Sequence, residues 1–229
     1  MTSPAIVTGG SRGLGLALVK SLVAAGWSVV VDARDGDALG DAVATMGDAV
    51  VAVSGDISDP AHREDLVEQA RALGGLDLLV NNASVLGPSP QPSLAAYPLE
   101  ALRRVYEVNA IAPLALTQLC LPLFDGEGMI INITSDAGVE AYPGWGGYGS
   151  SKAALEQISN VLAAEHPDLA VYWVDPGDMN TRMHQEAFPG EDISDRPPPE
   201  ESVPGLMWLI ESRPPSGRYR VADLDTRSL

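Results

Sequence analysis

Short runs rich in Val, Ile and Leu alternate with helix-length stretches along the chain, and this alternation limits the fold more than any other feature. The runs fall at residues 5–8, 28–32, 49–53, 76–80, 129–133, 170–174 and 219–221. Helices are predicted at 13–25, 37–46, 60–73, 99–123, 148–166 and 200–211. Near-continuous aliphatic runs suit strands covered on both faces. Strand–helix alternation with right-handed crossovers makes βαβ units. The expected fold class is α/β: one open, doubly wound parallel sheet of about seven strands, with helices on both faces. No repeat or linker divides the chain, so 1–229 reads as a single domain. The connection over 177–199, which ends in Arg196-Pro197-Pro198-Pro199, is longer than a plain turn. Residues 178–199 are therefore read as a substrate lid.

Charge and cysteine usage remove several function classes. The chain carries 31 acidic against 14 basic residues, for a net charge of −17. Such a field repels nucleic acid and anionic membrane. Cys120 is the single cysteine, so no disulfide forms within the chain, which suits a reducing compartment. One Cys and three His cannot build a structural zinc cluster, and no metal is expected. There is no apolar run of membrane-spanning length. The start, Met1-Thr2-Ser3-Pro4, lacks the basic and apolar segments of a secretion signal. The expectation is a cytoplasmic protein without nucleic-acid or membrane partners.

The first run ends in Thr8-Gly9-Gly10-Ser11-Arg12-Gly13-Leu14-Gly15, followed by an Ala/Leu/Val-rich helix. Free N–H groups and the positive dipole end of a helix N-terminus favour a pyrophosphate. Glycines allow the tight turn and the close approach of the ligand. A strand before and a helix after favour nucleotide binding over a plain glycine turn.

Lysine occurs only at positions 20 and 152, and Lys152 stands four residues after Tyr148 in a predicted helix. That spacing puts both side chains on one face. Reduction of a carbonyl by hydride needs a proton for the nascent alkoxide, and tyrosine can donate it. A neighbouring ammonium lowers the phenol pKa from about 10; reaching neutrality takes roughly 4 kcal/mol. Thr134 and Ser135 end the run at 129–133, at the strand edge where ligands bind in such sheets. A hydroxyl there can hydrogen-bond the substrate oxygen.

Thr-Gly-x-x-x-Gly-x-Gly followed by Tyr-x-x-x-Lys resembles the short-chain dehydrogenase/reductase superfamily, in its small single-domain branch. The resemblance runs from about Ala5 to Thr181. It implies a Rossmann-like fold and selects Ser135 over Thr134 as the catalytic serine. It also implies a water-holding role for Asn109 in a proton relay, completing a catalytic set of Asn109, Ser135, Tyr148 and Lys152. For the cofactor it implies Thr8, Gly9, Ser11, Arg12, Gly13, Leu14 and Gly15, an adenine-contacting Asp56 with Ile57, and the turn residues Asn82 and Ala83. Ser84 departs from the family's Asn-Asn-Ala-Gly turn. Tyr148, Lys152, Pro176, Gly177 and Thr181 complete the implied cofactor set.

Cofactor choice turns on Val31-Asp32-Ala33-Arg34. The family's NAD-specifying acid falls at Ala33, and Arg34 matches the arginine of NADP users. NADP(H) is therefore favoured over NAD(H), with Arg12 as a second phosphate partner; a register one residue earlier would make Asp32 an NAD ligand. Leu86, Tyr142, Trp145, Met179, Met183, His184 and Phe188 are candidates for an apolar substrate wall. Asp136 would discourage anionic substrates. The expected activity is an NADP(H)-dependent ketone or aldehyde reductase acting on a small, largely apolar carbonyl or alcohol, as a homodimer or homotetramer. The rivals are an NAD-dependent alcohol dehydrogenase and a non-catalytic dinucleotide sensor.

Overall fold

The computed structural model describes residues 3–224; residues 1–2 and 225–229, with the parts of the leader and single-domain readings that rest on them, lie outside it. Seven strands form one parallel sheet: β1 Pro4–Val7, β2 Ser28–Ala33, β3 Val50–Ser54, β4 Leu78–Asn81, β5 Met129–Ile133, β6 Ala170–Asp175 and β7 Gly217–Arg220. Their order is β3-β2-β1-β4-β5-β6-β7. The helices are α1 Gly13–Ala24, α2 Gly36–Val43, α3 Pro60–Ala72, α4 Leu99–Tyr106, α5 Ala112–Cys120, α6 Gly146–Glu165, α7 Arg182–Ala187 and α8 Val203–Ser212.

Side-chain alternation along each strand splits the core into two layers. Val7, Val31, Val80 and Ile131 face α1 and α8 with Leu18, Leu22, Leu206 and Ile210. Ile6, Val30, Leu79 and Ile130 face the other way, with Leu66 of α3, Leu116 of α5 and Leu162 of α6. Both faces are sealed, so the apolar runs are continuous rather than alternating. None of the described helices is long and apolar enough to cross a membrane.

Three segments differ from the sequence expectation. The helix predicted over 99–123 is broken into α4, a π-helical turn Glu107–Ile111 and α5. Pro113 has no N–H to give to the Asn109 carbonyl four residues back, which disfavours regular helical bonding there. The connection over 177–199, in which no helix is predicted, contains α7, which starts where the Thr181 hydroxyl accepts a hydrogen bond from His184 N–H at 3.2 Å. Strand β7 lies two residues earlier than expected; Arg218 and Arg220 flank Tyr219, a pattern an edge strand tolerates.

Strand order reverses between β1 and β4. The crevice beyond their C-terminal ends is where such sheets bind ligands, and it is there that the candidate residues gather.

Candidate active site

A cleft of about 1870 Å³ opens over the C-terminal ends of the strands. At one end stands the glycine-rich turn. Helix α1 begins without a side-chain cap and without an acidic residue in its first turn, so its N–H groups remain available to an anion. A Cβ on Gly15 would sit 2.4 Å from the Gly9 carbonyl oxygen, and Gly9 has φ +72° with the Ala83 Cα 2.9 Å from its own hypothetical Cβ. Loop, helix and the Asn82-Ala83 turn are packed backbone to backbone, leaving no room for side chains. Thr8 does not line the cleft; it is buried, and its hydroxyl accepts from Asn82 N–H and Ala83 N–H, each at 3.0 Å. Ser11, Arg12, Gly13, Leu14, Ile57, Pro176 and Gly177 line the cleft. Thr181 does so beside Gly13, at the root of the 178–199 connection.

Asp32 and Arg34 have separate fates. Asp32 is 2% exposed. One carboxylate oxygen accepts from Gly9 N–H at 2.6 Å, and the other meets His62 Nε2 at 2.9 Å. Both oxygens are engaged in holding the glycine turn. Arg34 lines the cleft one residue beyond β2. Asp56 also lines it, but its carboxylate is gripped by Ser58 and by Arg104 of α4. Burial pulls its pKa up, and the bonds from Ser58 and Arg104 outweigh this and leave it below the ordinary value. His62 and Arg104 escape sequence reasoning, because each pairs with an acid at least thirty positions away.

At the other end, α6 presents Tyr148 and Lys152 on one face. The Lys152 ammonium lies 5.5 Å from the Tyr148 ring centroid and donates to the Ile133 carbonyl at 2.7 Å. Burial lowers the Lys152 pKa to about 7, partly offset by Glu156 one turn on. Burial raises that of Tyr148; the Ser84 and Ser135 hydroxyls oppose this, while Asp175 and Asp136 add to it. The sequence argument expected Lys152 to bring the phenol towards neutrality. In the described chain burial acts the other way and raises the Tyr148 pKa.

Ser135 follows β5, and its hydroxyl accepts from Ala137 N–H at 3.2 Å and donates to Asp136 at 3.0 Å. The other Asp136 oxygen accepts from the Tyr142 hydroxyl at 3.0 Å. The Thr134 hydroxyl is turned away to Glu156, to which it donates at 2.8 Å. Arg218 of β7 braces this corner, contacting Glu156 at 3.0 Å and the Ser135 carbonyl at 3.4 Å. Asn109 is fully buried in the π-helical turn and does not line the cleft. Its amide donates to the Val85 carbonyl and Ser151, and its oxygen accepts from Val85 N–H and Ser84. Its side-chain amide is thus engaged with the 84–85 turn and with α6.

The outer wall is aromatic and aliphatic. Trp145 packs edge-on against Tyr148 and tilts towards Phe188, each at 5.9 Å between ring centroids. His184 stacks on Phe188 at 4.9 Å. Leu86, Tyr142, Met179 and Met183 complete the wall.

This fold, with an open glycine cradle and a Tyr-x-x-x-Lys helix, defines a dinucleotide-dependent oxidoreductase class. A sequence profile of the short chain dehydrogenase family matches residues 3–192, and the chain belongs to that family. It is 35% identical over 217 residues to 1-deoxy-11-beta-hydroxypentalenate dehydrogenase of Streptomyces exfoliatus, covering 90% of this chain and 78% of the relative. It is 34% identical over 192 residues to a benzil reductase ((S)-benzoin forming) of Saccharomyces cerevisiae, covering 79% and 73%. Among solved structures, a short chain dehydrogenase from Escherichia coli CFT073 complexed with NADPH superposes with TM-score 0.87 at 27% identity, covering 96% of each chain.

Proposed function

We propose that the chain is an NADP(H)-dependent reductase of neutral, largely apolar ketones or aldehydes. The observation that carries this reading is the buried Tyr148 phenol, which lines an aromatic-walled cleft together with Ser135 and Lys152. A protonated phenol is the form that gives a proton to a nascent alkoxide. When bound, the nicotinamide supplies the hydride. Arg12 and Arg34 would hold the phosphates, with the α1 N-terminus and Gly9, Gly13 and Gly15. Ser135 hydrogen-bonds the carbonyl oxygen and fixes it within reach of Tyr148. In its protonated form Lys152 adds positive charge beside the phenol. Asn109 ties the 84–85 turn to α6, and a relay water would meet it through its backbone carbonyl, which Pro113 leaves without its ordinary donor.

The engagement of both Asp32 oxygens favours NADP(H) over the NAD-dependent alcohol dehydrogenase reading. Asp136 at the substrate oxygen and Asp178 at the rim disfavour carboxylates and acidic carriers. Aromatic walls suit an aryl ketone or diketone, and benzil, the named substrate of one relative, is of that kind. Segment 178–199 acts as the lid. Exposed Leu99, Ile111, Leu119 and Val161 support a homodimer through α4, α5 and α6. Buried Cys120, whose thiol burial pushes up to about 12, fits a cytoplasmic setting.

Parallel fluorescence titrations with NADPH and NADH, followed by turnover of a neutral carbonyl panel, test the reading. NADPH should bind more tightly, and Arg34→Ala should weaken NADPH by about 10- to 100-fold while sparing NADH. Equal loss for both cofactors would sink the assignment of Arg34, and tighter NADH binding would reverse the preference.

A further inference from the structure

We propose that Asp136 is a specificity-determining residue that selects α-hydroxy ketones: its carboxylate accepts a hydrogen bond from a hydroxyl on the carbon next to the reacting carbonyl. The inference rests on the reductase reading and narrows it to one class of neutral carbonyl. Ser135, Asp136, Tyr142 and Tyr148 all line the cleft. The Ser135 hydroxyl has a single proton, and it donates that proton to one Asp136 oxygen at 3.0 Å. The second Asp136 oxygen accepts from the Tyr142 hydroxyl at 3.0 Å, which pins the carboxylate in the cleft wall. A ketone oxygen has no proton and can only accept. To bind it, Ser135 must turn its proton from Asp136 to the substrate, while its lone pairs keep Ala137 N–H at 3.2 Å. That turn leaves a carboxylate oxygen without its donor. An acceptor stripped of its partner beneath an apolar ligand is costly, and a ligand that brings a donor of its own removes the cost.

The same bonds say where that donor must be. The Ser135 hydroxyl oxygen and the Asp136 oxygen are 3.0 Å apart. Two substrate oxygens, each about 2.8 Å from one of these atoms along parallel hydrogen bonds, stand about 3 Å from each other, the separation of oxygens on adjacent carbons. One is the carbonyl oxygen at Ser135, and the other is a hydroxyl at Asp136. An ether oxygen in the second place has no proton to give. Trp145 and Phe188, 5.9 Å apart between ring centroids, offer the rest of the molecule an aromatic seat. In the reduction, hydride from the nicotinamide adds to the carbonyl carbon and the Tyr148 proton adds to its oxygen. The product is a vicinal diol, the dinucleotide leaves oxidised, and the neighbouring hydroxyl keeps its own proton throughout.

The test is kcat/KM of the full chain with NADPH on 2-hydroxyacetophenone, 2-methoxyacetophenone and acetophenone. The methoxy compound keeps the second oxygen and its inductive pull on the carbonyl, so it isolates the proton. The wild type should prefer the hydroxy ketone to the methoxy ketone by about 10- to 100-fold. Asp136→Ala should bring that ratio to about one. Asp136→Asn, which keeps the size of the side chain should the alanine variant fail to fold, offers a neutral acceptor and should hold the ratio at about two- to tenfold. Equal kcat/KM for the hydroxy and methoxy ketones in the wild type would overturn the proposal, and so would a ratio left at its wild-type value in either variant. Absence of turnover on all three ketones would instead contradict the reductase reading, and the inference would fall with it.

Discussion

At the glycine end of the cleft the wall is made of backbone. Gly9, Gly13 and Gly15 bring main chain against main chain, Thr8 ties β1 to the 82–83 turn, and Asp32 holds the Gly9 N–H. At the carbonyl end the wall is made of side chains on loops: Trp145, Tyr142, Met183 and Phe188 come from two connections that touch only in the folded chain. Backbone walls admit few substitutions and bind what every member of the family binds. Side-chain walls can be changed residue by residue without moving the sheet, and the proposed function gives substrate choice to them.

Substitutions should separate the two ends. The largest effect belongs to the backbone wall. Gly15→Ala puts a Cβ against the Gly9 carbonyl, so the turn must shift. NADPH affinity should fall by about 100-fold or more while far-ultraviolet circular dichroism stays native, a loss of about 3 kcal/mol. A variant that binds NADPH normally would show that the cradle is looser than described. Trp145→Ala should act more mildly and only at the other end. Removing the ring that packs on Tyr148 and Phe188 should raise KM for an aryl ketone by about 5- to 20-fold, consistent with roughly 1–2 kcal/mol of lost aromatic packing. NADPH titration should be unchanged; a parallel loss of cofactor affinity would mean the two ends are not independent.

A smaller effect joins the ends through Lys152. In the folded chain Lys152 keeps its proton only below about 7. Unfolded lysine keeps it to about 10.4. Between these values the folded state binds fewer protons, so this group's contribution to stability rises with pH, by at most about 1.4 kcal/mol per pH unit. Urea melts at pH 7, 8 and 9 should therefore show a shallower rise, or a steeper fall, for Lys152→Met than for the wild type. Identical slopes would mean that Lys152 stays charged when buried.

The same division explains what the sequence made legible. The sheet was readable because both of its faces are covered, so its strands are unbroken aliphatic runs. The glycine turn and the Tyr148–Lys152 pair were readable because their spacing is local. The break at residues 107–111 was not, because a π-helical turn leaves no periodic mark beyond Pro113 and the neighbouring polar Asn109. Helix α7 is short, and its start depends on a Thr181 cap inside a segment with no apolar period. Asp32 was ambiguous in sequence because its partners, Gly9 and His62, are far along the chain. Arg218 carried no signal at all, since its meaning comes from lying beside Glu156 and Ser135 once β7 joins the sheet.

The most direct test of the account is NADPH consumption on a panel of neutral aryl ketones and diketones, run side by side for the wild type and Tyr148→Phe, with NADPH binding measured on both. The account predicts turnover by the wild type, loss of at least about 100-fold in the variant, and the same cofactor affinity for each. Wild-type turnover by Tyr148→Phe on the same carbonyl would contradict it.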